Sequence, residues 1–335
     1  MPEPSPTSAP RARRGRLLRF GAALVVLLGV AGYLTAHYLT GGTGVPKCRV
    51  VPGTGDGASY EFTAEQAVNA ATISAVGTNR GMPERAVTIA LATALQESAL
   101  RNIDYGDRDS LGLFQQRPSQ GWGSEQEIMD PAYAAGEFYE HLDKVEGYAS
   151  LPLTVAAQRV QRSGYPDAYA KHEPDAALLA AALTGRAAAT LTCEGRPDVR
   201  PGGPQAVRAA LVRDFGRGVL QETGAAVAAS PPAASPSAGT SPVGTPSAGS
   251  SGAHTVTVPV PETSPDGNGK GSEGGKRQRG WALAHWAVAN SSALHVRQVS
   301  YAGRVWTAGS TRSEWRTGGP GSRDTTDEVR IVTGQ

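Results

Sequence analysis

The 335 residues carry 32 lysines and arginines against 30 aspartates and glutamates, a net charge of +2. This balance does not favour nucleic acid or another polyanion as a partner, because such a partner requires a strongly basic surface. The only two cysteines, Cys48 and Cys193, have no second cysteine or histidine at ligand spacing, so no metal site is predicted. The apolar residues suffice for one folded domain of about 140 residues.

Two segments precede that domain. Residues 1–15 are rich in Pro, Ser and then Arg, which predicts a disordered tail. Residues 16–40 contain an apolar run long enough to span a bilayer, with arginines on its N-terminal side. Arginines on that side place the tail in the cytoplasm. Because the run ends without a small-x-small cleavage site, we expect an uncleaved single-pass anchor with the rest of the chain outside the cell.

An extracellular location bears on the two cysteines, since disulfides persist in oxidising compartments. A bridge between Cys48 and Cys193 would join the two ends of the domain predicted at 45–195. In the chain-entropy description it would stabilise the fold by about 4 to 5 kcal/mol. The alternative is a pair of unrelated buried thiols.

The first helix of the domain is predicted over 63–77, with Thr63 as N-cap and Gln66 completing a capping box. A second helix follows Pro83 and is predicted to end near Asn102. Its buried stripe recurs at three- and four-residue spacing and comprises Val87, Ala90, Leu91, Ala94, Leu95 and Ser98. Three later helices are predicted. One runs from 131 to 144, one ends at 162 and one runs from 174 to 183.

Glu97 lies at the border of that stripe, where it would face a neighbouring cleft. Loss of solvation there raises the pKa of a carboxyl group, so that it can hold a proton near neutral pH as a general acid does. A single glutamate on a helix is more often solvated, so this hypothesis depends on the residues around it.

The segment Gln96-Glu97-Ser98 is followed, one loop later, by Ser110-Leu111-Gly112-Leu113-Phe114-Gln115. This pair of motifs resembles the catalytic signature of the soluble lytic transglycosylase and goose-type lysozyme family, over roughly residues 60 to 190. The resemblance implies a mainly α-helical, lysozyme-like domain that acts on the glycan strands of peptidoglycan, with Glu97 as acid and base. It also implies that Ser98, Gly112 and Phe114 support the cleft. Gln115 would contact an N-acetylated sugar or orient the acid.

The Ala-Tyr-Asn-Ala-Gly string of this family is not present in its usual form. Gln161 and Tyr165 lie in the region where it is expected, and they are the candidates for its contacts in the cleft. Ordinary packing at a helix end is the alternative for both residues.

One carboxylate is enough for a lytic transglycosylase, because the 6-hydroxyl of the sugar can attack the anomeric carbon after Glu97 has protonated the bridging oxygen. A hydrolase usually needs two carboxylates. Asp104, Asp107 or Asp109 could supply the second, or these residues could simply build turns. A calcium loop starting at Asp107 is excluded, because its twelfth position is Pro118.

Three segments follow the domain. A helical extension is predicted at 196–224, and a disordered linker of Pro, Ser, Gly and Ala at 225–279. A small α+β module is predicted at 280–335, with a hairpin that turns at Ala302-Gly303 and a last strand at 328–333. The module is similar to a small accessory domain found at the C-terminus of some actinobacterial wall enzymes.

The sequence therefore predicts a membrane-anchored, outward-facing enzyme without a cofactor. It would cleave the bond between N-acetylmuramic acid and N-acetylglucosamine, with glycan strands and the membrane as its partners. A hydrolytic lysozyme and a non-catalytic wall-binding or scaffold protein are the two alternatives.

Overall fold

The computed structural model describes residues 47–54, 57–165, 167–195, 203–221, 254–261, 273–309, 314–319 and 326–334. Over these residues the chain is mainly helical and has a small antiparallel sheet near its C-terminus. None of the helices in these ranges is long and apolar enough to cross a bilayer. The tail predicted at 1–15 and the anchor predicted at 16–40 lie outside them.

The described residues form nine α-helices. These are α1 (Ala64–Asn79), α2 (Glu84–Ser98), α3 (Glu125–Ile128), α4 (Pro131–Asp143), α5 (Leu153–Gln161), α6 (Glu173–Leu183), α7 (Pro204–Phe215), α8 (Glu273–Ala289) and α9 (Ser291–Leu294). Short 3₁₀ turns lie at Pro118–Gln120, Tyr148–Ser150, Ala170–His172 and Arg217–Leu220. The helical extension predicted at 196–224 corresponds to α7 and the last of these turns.

The strands form two antiparallel sheets. The first contains β1 (Lys47–Val50), β2 (Tyr60–Thr63) and β3 (Leu191–Cys193) in the order β2-β1-β3. The second contains β4 (Thr255–Pro259), β5 (Val296–Tyr301), β6 (Arg304–Thr307), β7 (Arg316–Thr317) and β8 (Glu328–Thr333) in the order β4-β8-β5-β6-β7. The predicted hairpin is confirmed as β5 and β6, and the predicted last strand as β8. Ala302 and Gly303 both have positive φ, which suits the turn of a tight hairpin.

Local signals place α1 as predicted. The Thr63 side chain accepts from the backbone N–H of Gln66, and the Gln66 side chain accepts from the N–H of Thr63. This reciprocal capping box satisfies two donors that a helix start otherwise leaves open. The chain therefore enters the helix at a fixed residue.

The next helix, α2, is the centre of the fold. Every residue from Ala86 to Leu95 is buried, so the predicted stripe extends around the whole helix. It packs against α1, α4, α5 and α6. The buried hydroxyls of Thr88 and Thr93 donate to carbonyls one turn earlier, at 3.0 and 2.8 Å, which satisfies them without a partner from another element. Small side chains and internally satisfied hydroxyls allow neighbours to approach from all sides.

The predicted disulfide is present. Cys48 in β1 and Cys193 in β3 are direct partners in the sheet, and their sulfur atoms are bonded. The two cysteines lie 145 positions apart in sequence, and their bond links β1 to β3 within the first sheet. A covalent link across so long a loop restricts the unfolded chain strongly.

The C-terminal region, where a small α+β module is predicted at 280–335, packs onto the helical domain. The described residues from 47 onward form one compact unit, in which α8 lies against α1, α6 and β3. The linker predicted at 225–279 is wrong in part, because it contains β4 and the start of α8. Segment composition favoured a linker there, but pairing of β4 with β8 supplies the hydrogen bonds that a short strand cannot satisfy alone.

The carboxylate of Asp214 in α7 is the main polar contact between α8 and the helical domain. Its side chain is fully buried and accepts from Trp286 Nε1 at 2.8 Å and from Thr72 Oγ1 at 3.2 Å. Arg213 forms a bidentate ion pair with the same carboxylate at 2.6 and 3.1 Å. The group therefore joins α1, α7 and α8 at one point, with its charge compensated.

His285 is the second polar contact between α8 and the helical domain. Its Nδ1–H donates to the carbonyl of Ala182 at 2.7 Å, and its Nε2 accepts from the N–H of Thr190 at 3.2 Å. Burial lowers the pKa of His285 to about 4, so the ring is neutral at pH 7. A neutral imidazole with one donor and one acceptor matches this environment.

Candidate active site

Glu97 is the penultimate residue of α2, and the helix ends earlier than predicted. It stops at Ser98, whereas the sequence predicts an end near Asn102. Ala99 and Leu100 then adopt left-handed backbone angles, with φ of 53° and 58°. Neither residue type favours this conformation, so the sequence contains no signal for it.

Side chains of α1 hold this strained turn in place. Gln66 Nε2 donates to the carbonyl of Ala99 at 2.8 Å, and Asn69 Nδ2 donates to that of Leu100 at 2.8 Å. The same Gln66 side chain completes the capping box of α1 through its oxygen. The start of one helix thereby fixes the end of the next, and with it the position of Glu97.

We expect Asn69→Ala to lower the free energy of unfolding by about 1 to 3 kcal/mol, because it leaves the buried carbonyl of Leu100 without its donor. Urea denaturation measures this change. The same substitution at Asn79, at the exposed end of α1, is the control and should cost less than about 0.5 kcal/mol. Equal effects at the two positions would contradict the role of Asn69.

Two side chains from other elements lie at the Glu97 carboxyl. The phenol of Tyr169 donates to Glu97 Oε1 at 2.7 Å. The Gln161 amide donates to the carbonyl of Phe114 at 2.7 Å, and this side chain lies close enough to the carboxyl to lower its pKa.

Burial raises the pKa of Glu97, although the hydrogen bonds from Tyr169 and Gln161 act in the opposite direction. The pKa of Tyr169 is raised as well, by its own burial and by the nearby Glu97 charge, so the phenol stays protonated. Since Tyr169 donates to Oε1, the proton of the neutral acid is carried on Oε2. The arrangement suits a group that delivers a proton and then takes one back.

The tyrosine that contacts the acid is Tyr169 and not the candidate Tyr165. The ring of Tyr165 is 77 % exposed, whereas Tyr169 is fully buried. The other candidate from this region, Gln161, lies close enough to Glu97 to lower its pKa. The pair Ala168-Tyr169 shares two residues with the Ala-Tyr-Asn-Ala-Gly string and is the signal that could have identified Tyr169.

The turn at 112–115 is tied to the end of α2. The buried Ser98 hydroxyl lies 2.8 Å from the carbonyl of Leu113 and 3.1 Å from that of Ala94. Gly112 has φ of 74°, and a Cβ there would lie 2.8 Å from the carbonyl of Ile128. Only glycine fits at this position. Ser98 and Gly112 therefore support the site.

The two remaining residues of the motif have different surroundings. Phe114 is fully buried and stacks on Phe138 with ring centroids 4.7 Å apart, so it supports the core and does not reach a ligand. Gln115 is half-buried, and its amide donates to the carbonyls of Tyr105 and Gly112, both at 3.3 Å. Its side chain spans the loop and the turn next to Glu97.

Of the three candidate second carboxylates, Asp109 has a structural role. It pairs with Arg117 Nε at 2.8 Å and accepts from the N–H of Ser119 at 2.8 Å. These contacts lower the pKa of Asp109 well below its usual range. Asp104 and Asp107 are exposed on the same loop, and the backbone carbonyl of Asp107 accepts from Ser110 N–H at 3.1 Å. Among the described hydrogen bonds, none joins any of the three to Glu97.

A cleft of about 440 Å³ lies beside this arrangement. Gln161 and Gln115 line it, whereas Glu97 and Tyr169 are not among the described residues that line it. Gln161 connects the cleft with the acid, because it lies close enough to Glu97 to lower its pKa. Its other lining residues are Gln116, Arg117, Gln120, Trp122, His141, Lys144, Arg159, Val160, Arg162 and Val145. The cleft has the size of a site for a small molecule or for part of a polymer.

Comparison with known proteins bears on the other end of the chain. Residues 260–329 match the family VldE, C-terminal domain. The match does not reach Glu97 or its partners. In a search of curated proteins, no relative matches the chain.

The matched residues contact the disulfide-bonded sheet. Trp315 Nε1 donates to the carbonyl of Leu191 at 2.9 Å, and the N–H of Gly309 donates to that of Glu194 at 2.8 Å. Leu191 belongs to β3 and Glu194 follows it directly. This C-terminal region therefore supports the strand that carries Cys193.

Proposed function

We propose that this protein is an extracytoplasmic peptidoglycan-cleaving enzyme with a lysozyme-like helical domain. More specifically, we propose a lytic transglycosylase that acts on the β-1,4 bond between N-acetylmuramic acid and N-acetylglucosamine. The observation that carries the proposal is Glu97 itself, a carboxyl with raised pKa that receives a hydrogen bond from Tyr169. Gln161, which also acts on this pKa, lines an open cleft. The paired sequence motifs around Glu97 and Gly112 support the same assignment.

In the proposed reaction Glu97 Oε2 gives its proton to the glycosidic oxygen as the bond from the anomeric carbon breaks. Positive charge develops at that carbon, and the 6-hydroxyl of the same sugar attacks it. Glu97, now a carboxylate stabilised by Tyr169 and Gln161, takes the hydroxyl proton. The products are a 1,6-anhydro sugar and a strand with a free 4-hydroxyl, and no water is consumed.

The surroundings of Asp109 favour this one-carboxylate mechanism over hydrolysis. A group paired with Arg117 and the Ser119 N–H has little basicity left with which to activate water. Asp104 and Asp107 stay as candidates for a hydrolytic lysozyme.

The proposed location is outside the cell, with the chain held to the membrane by residues 16–40 and residues 1–15 in the cytoplasm. The Cys48–Cys193 disulfide supports an oxidising compartment. An anchored enzyme would act on wall close to the membrane.

The test is mass spectrometry of fragments released from purified peptidoglycan by the full chain in mild detergent. We expect anhydro ends, which are lighter by one water than the reducing ends of a hydrolysed strand. Reducing ends would instead establish a hydrolase, and Asp104→Asn and Asp107→Asn would then identify its second carboxylate. Binding to the wall without release of any fragment would favour a non-catalytic wall-binding protein.

A further inference from the structure

The cleft next to Glu97 is strongly cationic. Four of its lining residues are basic, namely Arg117, Lys144, Arg159 and Arg162, and none of the described residues that line it is acidic. Two of these cations are already paired, Arg117 with Asp109 at 2.8 Å and Lys144 with Glu140 at 2.9 Å.

The other two cations, Arg159 and Arg162, are exposed at the end of α5. Within the described part of the chain neither forms an ion pair. Two guanidinium groups facing one cleft without a carboxylate create a positive potential that a bound anion would relieve.

The position of these arginines links them to the acid. Gln161 lies between them in sequence, lines the same cleft and donates to the carbonyl of Phe114 at 2.7 Å. Phe114 belongs to the turn that Ser98, the neighbour of Glu97, contacts through the carbonyl of Leu113. The end of α5 therefore presents one side chain towards the acid and two cations to the adjoining space.

The cleft also has an aromatic wall. The rings of Trp122 and His141 lie 4.1 Å apart at an angle of 32°, and His141 Nδ1–H donates to the carbonyl of Glu137 at 2.9 Å. This bond fixes the imidazole over the indole. An aromatic pair beside cations suits a ligand that has both apolar and anionic parts.

We propose that this cleft binds a carboxylate of the peptide stem carried by the glycan strand. The inference rests on the proposed function and specifies its substrate. In a strand that carries its peptides, the lactyl carboxyl of the muramic acid is joined to the stem as an amide. The sugars around the scissile bond are then uncharged, so they offer no partner for Arg159 and Arg162. The stem is attached to the cleaved sugar itself and carries free carboxylates, which guanidinium groups bind through paired hydrogen bonds. The enzyme therefore prefers strands that carry peptides to strands stripped of them.

The experiment compares two substrates, glycan strands with their peptides and the same strands after an amidase has removed the peptides. The stripped strands keep one lactyl carboxylate on each muramic acid, so the comparison separates the carboxylates of the stem from that shorter anion. The full chain in mild detergent is compared with the double variant Arg159→Gln, Arg162→Gln. We expect kcat/KM to be about tenfold higher for peptide-bearing strands with the unaltered protein, and this ratio to fall towards one in the variant. Lysine at both positions should restore part of the ratio, and added salt should reduce it.

The matched control is Arg304→Gln, Arg330→Gln, which removes two charges from exposed arginines of the second sheet. It should keep the ratio of the unaltered protein. The proposal is overturned if the unaltered protein cleaves both substrates equally well. It is also overturned if the double variant Arg159→Gln, Arg162→Gln has the same ratio as the control. Either result leaves the proposed function intact.

A binding measurement separates this proposal from the proposed function. Soluble disaccharide-peptide, peptide-free disaccharide and glycerol phosphate are each titrated into the full chain and followed by calorimetry. We expect the disaccharide-peptide to bind about tenfold more tightly than the peptide-free disaccharide, whose lactyl carboxylate is its one anion, and this advantage to be lost in the double variant Arg159→Gln, Arg162→Gln. If the disaccharide-peptide binds in this way but no strand is cleaved, the proposed enzymatic function is rejected and the proposed binding of the peptide stem in the cleft is retained. Tighter binding of glycerol phosphate would assign the cleft to phosphate-bearing wall polymers and reject the peptide stem.

Discussion

Replacing Glu97 by glutamine should lower the rate of glycan cleavage by about 10³- to 10⁴-fold, the loss expected when a single group serves as both acid and base. The replacement keeps the size of the side chain, and its oxygen can still accept from Tyr169. We therefore expect the free energy of unfolding to change little. The rate is measured by the release of fragments from purified peptidoglycan.

Two further variants test this interpretation, one as a matched control and one through the pH dependence of the rate. Glu125→Gln makes the same change at an exposed glutamate of α3 and should leave the rate unchanged. Tyr169→Phe removes a hydrogen bond that lowers the pKa of Glu97, so the fall in activity at high pH should move to higher pH. A Glu97→Gln protein with full activity would reject Glu97 as the acid.

Replacing Trp286 by alanine should lower the free energy of unfolding by about 3 to 5 kcal/mol. The indole is 1 % exposed, contacts the Phe215 ring edge-on at 5.9 Å and donates to the buried Asp214 at 2.8 Å. Its loss leaves a cavity and takes one donor from an enclosed carboxylate. Trp286→Phe keeps most of the ring and should cost about 1 to 3 kcal/mol, mainly through the lost hydrogen bond.

The shape of the unfolding curve is as informative as the midpoint. Because α8 packs against α1 and α6, we expect urea to unfold the described part of the chain from residue 47 onward in one transition, observed equally by tryptophan fluorescence and far-ultraviolet circular dichroism. Tyr165→Ala removes an exposed aromatic ring and serves as the control for stability. Two separate transitions would mean that the C-terminal region folds on its own.

Much of the local structure could be predicted because its causes lie within a few residues. The capping box of α1 needs only Thr63 and Gln66, three positions apart. The β5–β6 hairpin needs a turn that tolerates positive φ, which Ala302-Gly303 provides. Glu97, Ser98 and Gly112 could be predicted as candidate site residues because they belong to short motifs.

Other features of the site could not be predicted, because they depend on contacts between distant residues. The end of α2 is fixed by Gln66 and Asn69 of another helix, which donate to the carbonyls of the two residues that follow it. Those residues, Ala99 and Leu100, have types that do not predict a left-handed turn. Choosing between Tyr165 and Tyr169 requires the path of the loop after α5. Only the buried ring reaches Glu97.

The sequence by itself determined the helical class, the candidate acid, the turn beside it and the cysteine pair, since periodicity, capping and short motifs act over one or two turns of chain. Tertiary structure decided which partners surround the acid, that Asp109 is held by Arg117, and that the C-terminal helix completes the core. The bonds from Tyr169 to Glu97 and from Trp286 to Asp214 each join residues 72 positions apart. Such contacts follow from the packing of whole elements, and no local pattern specifies them.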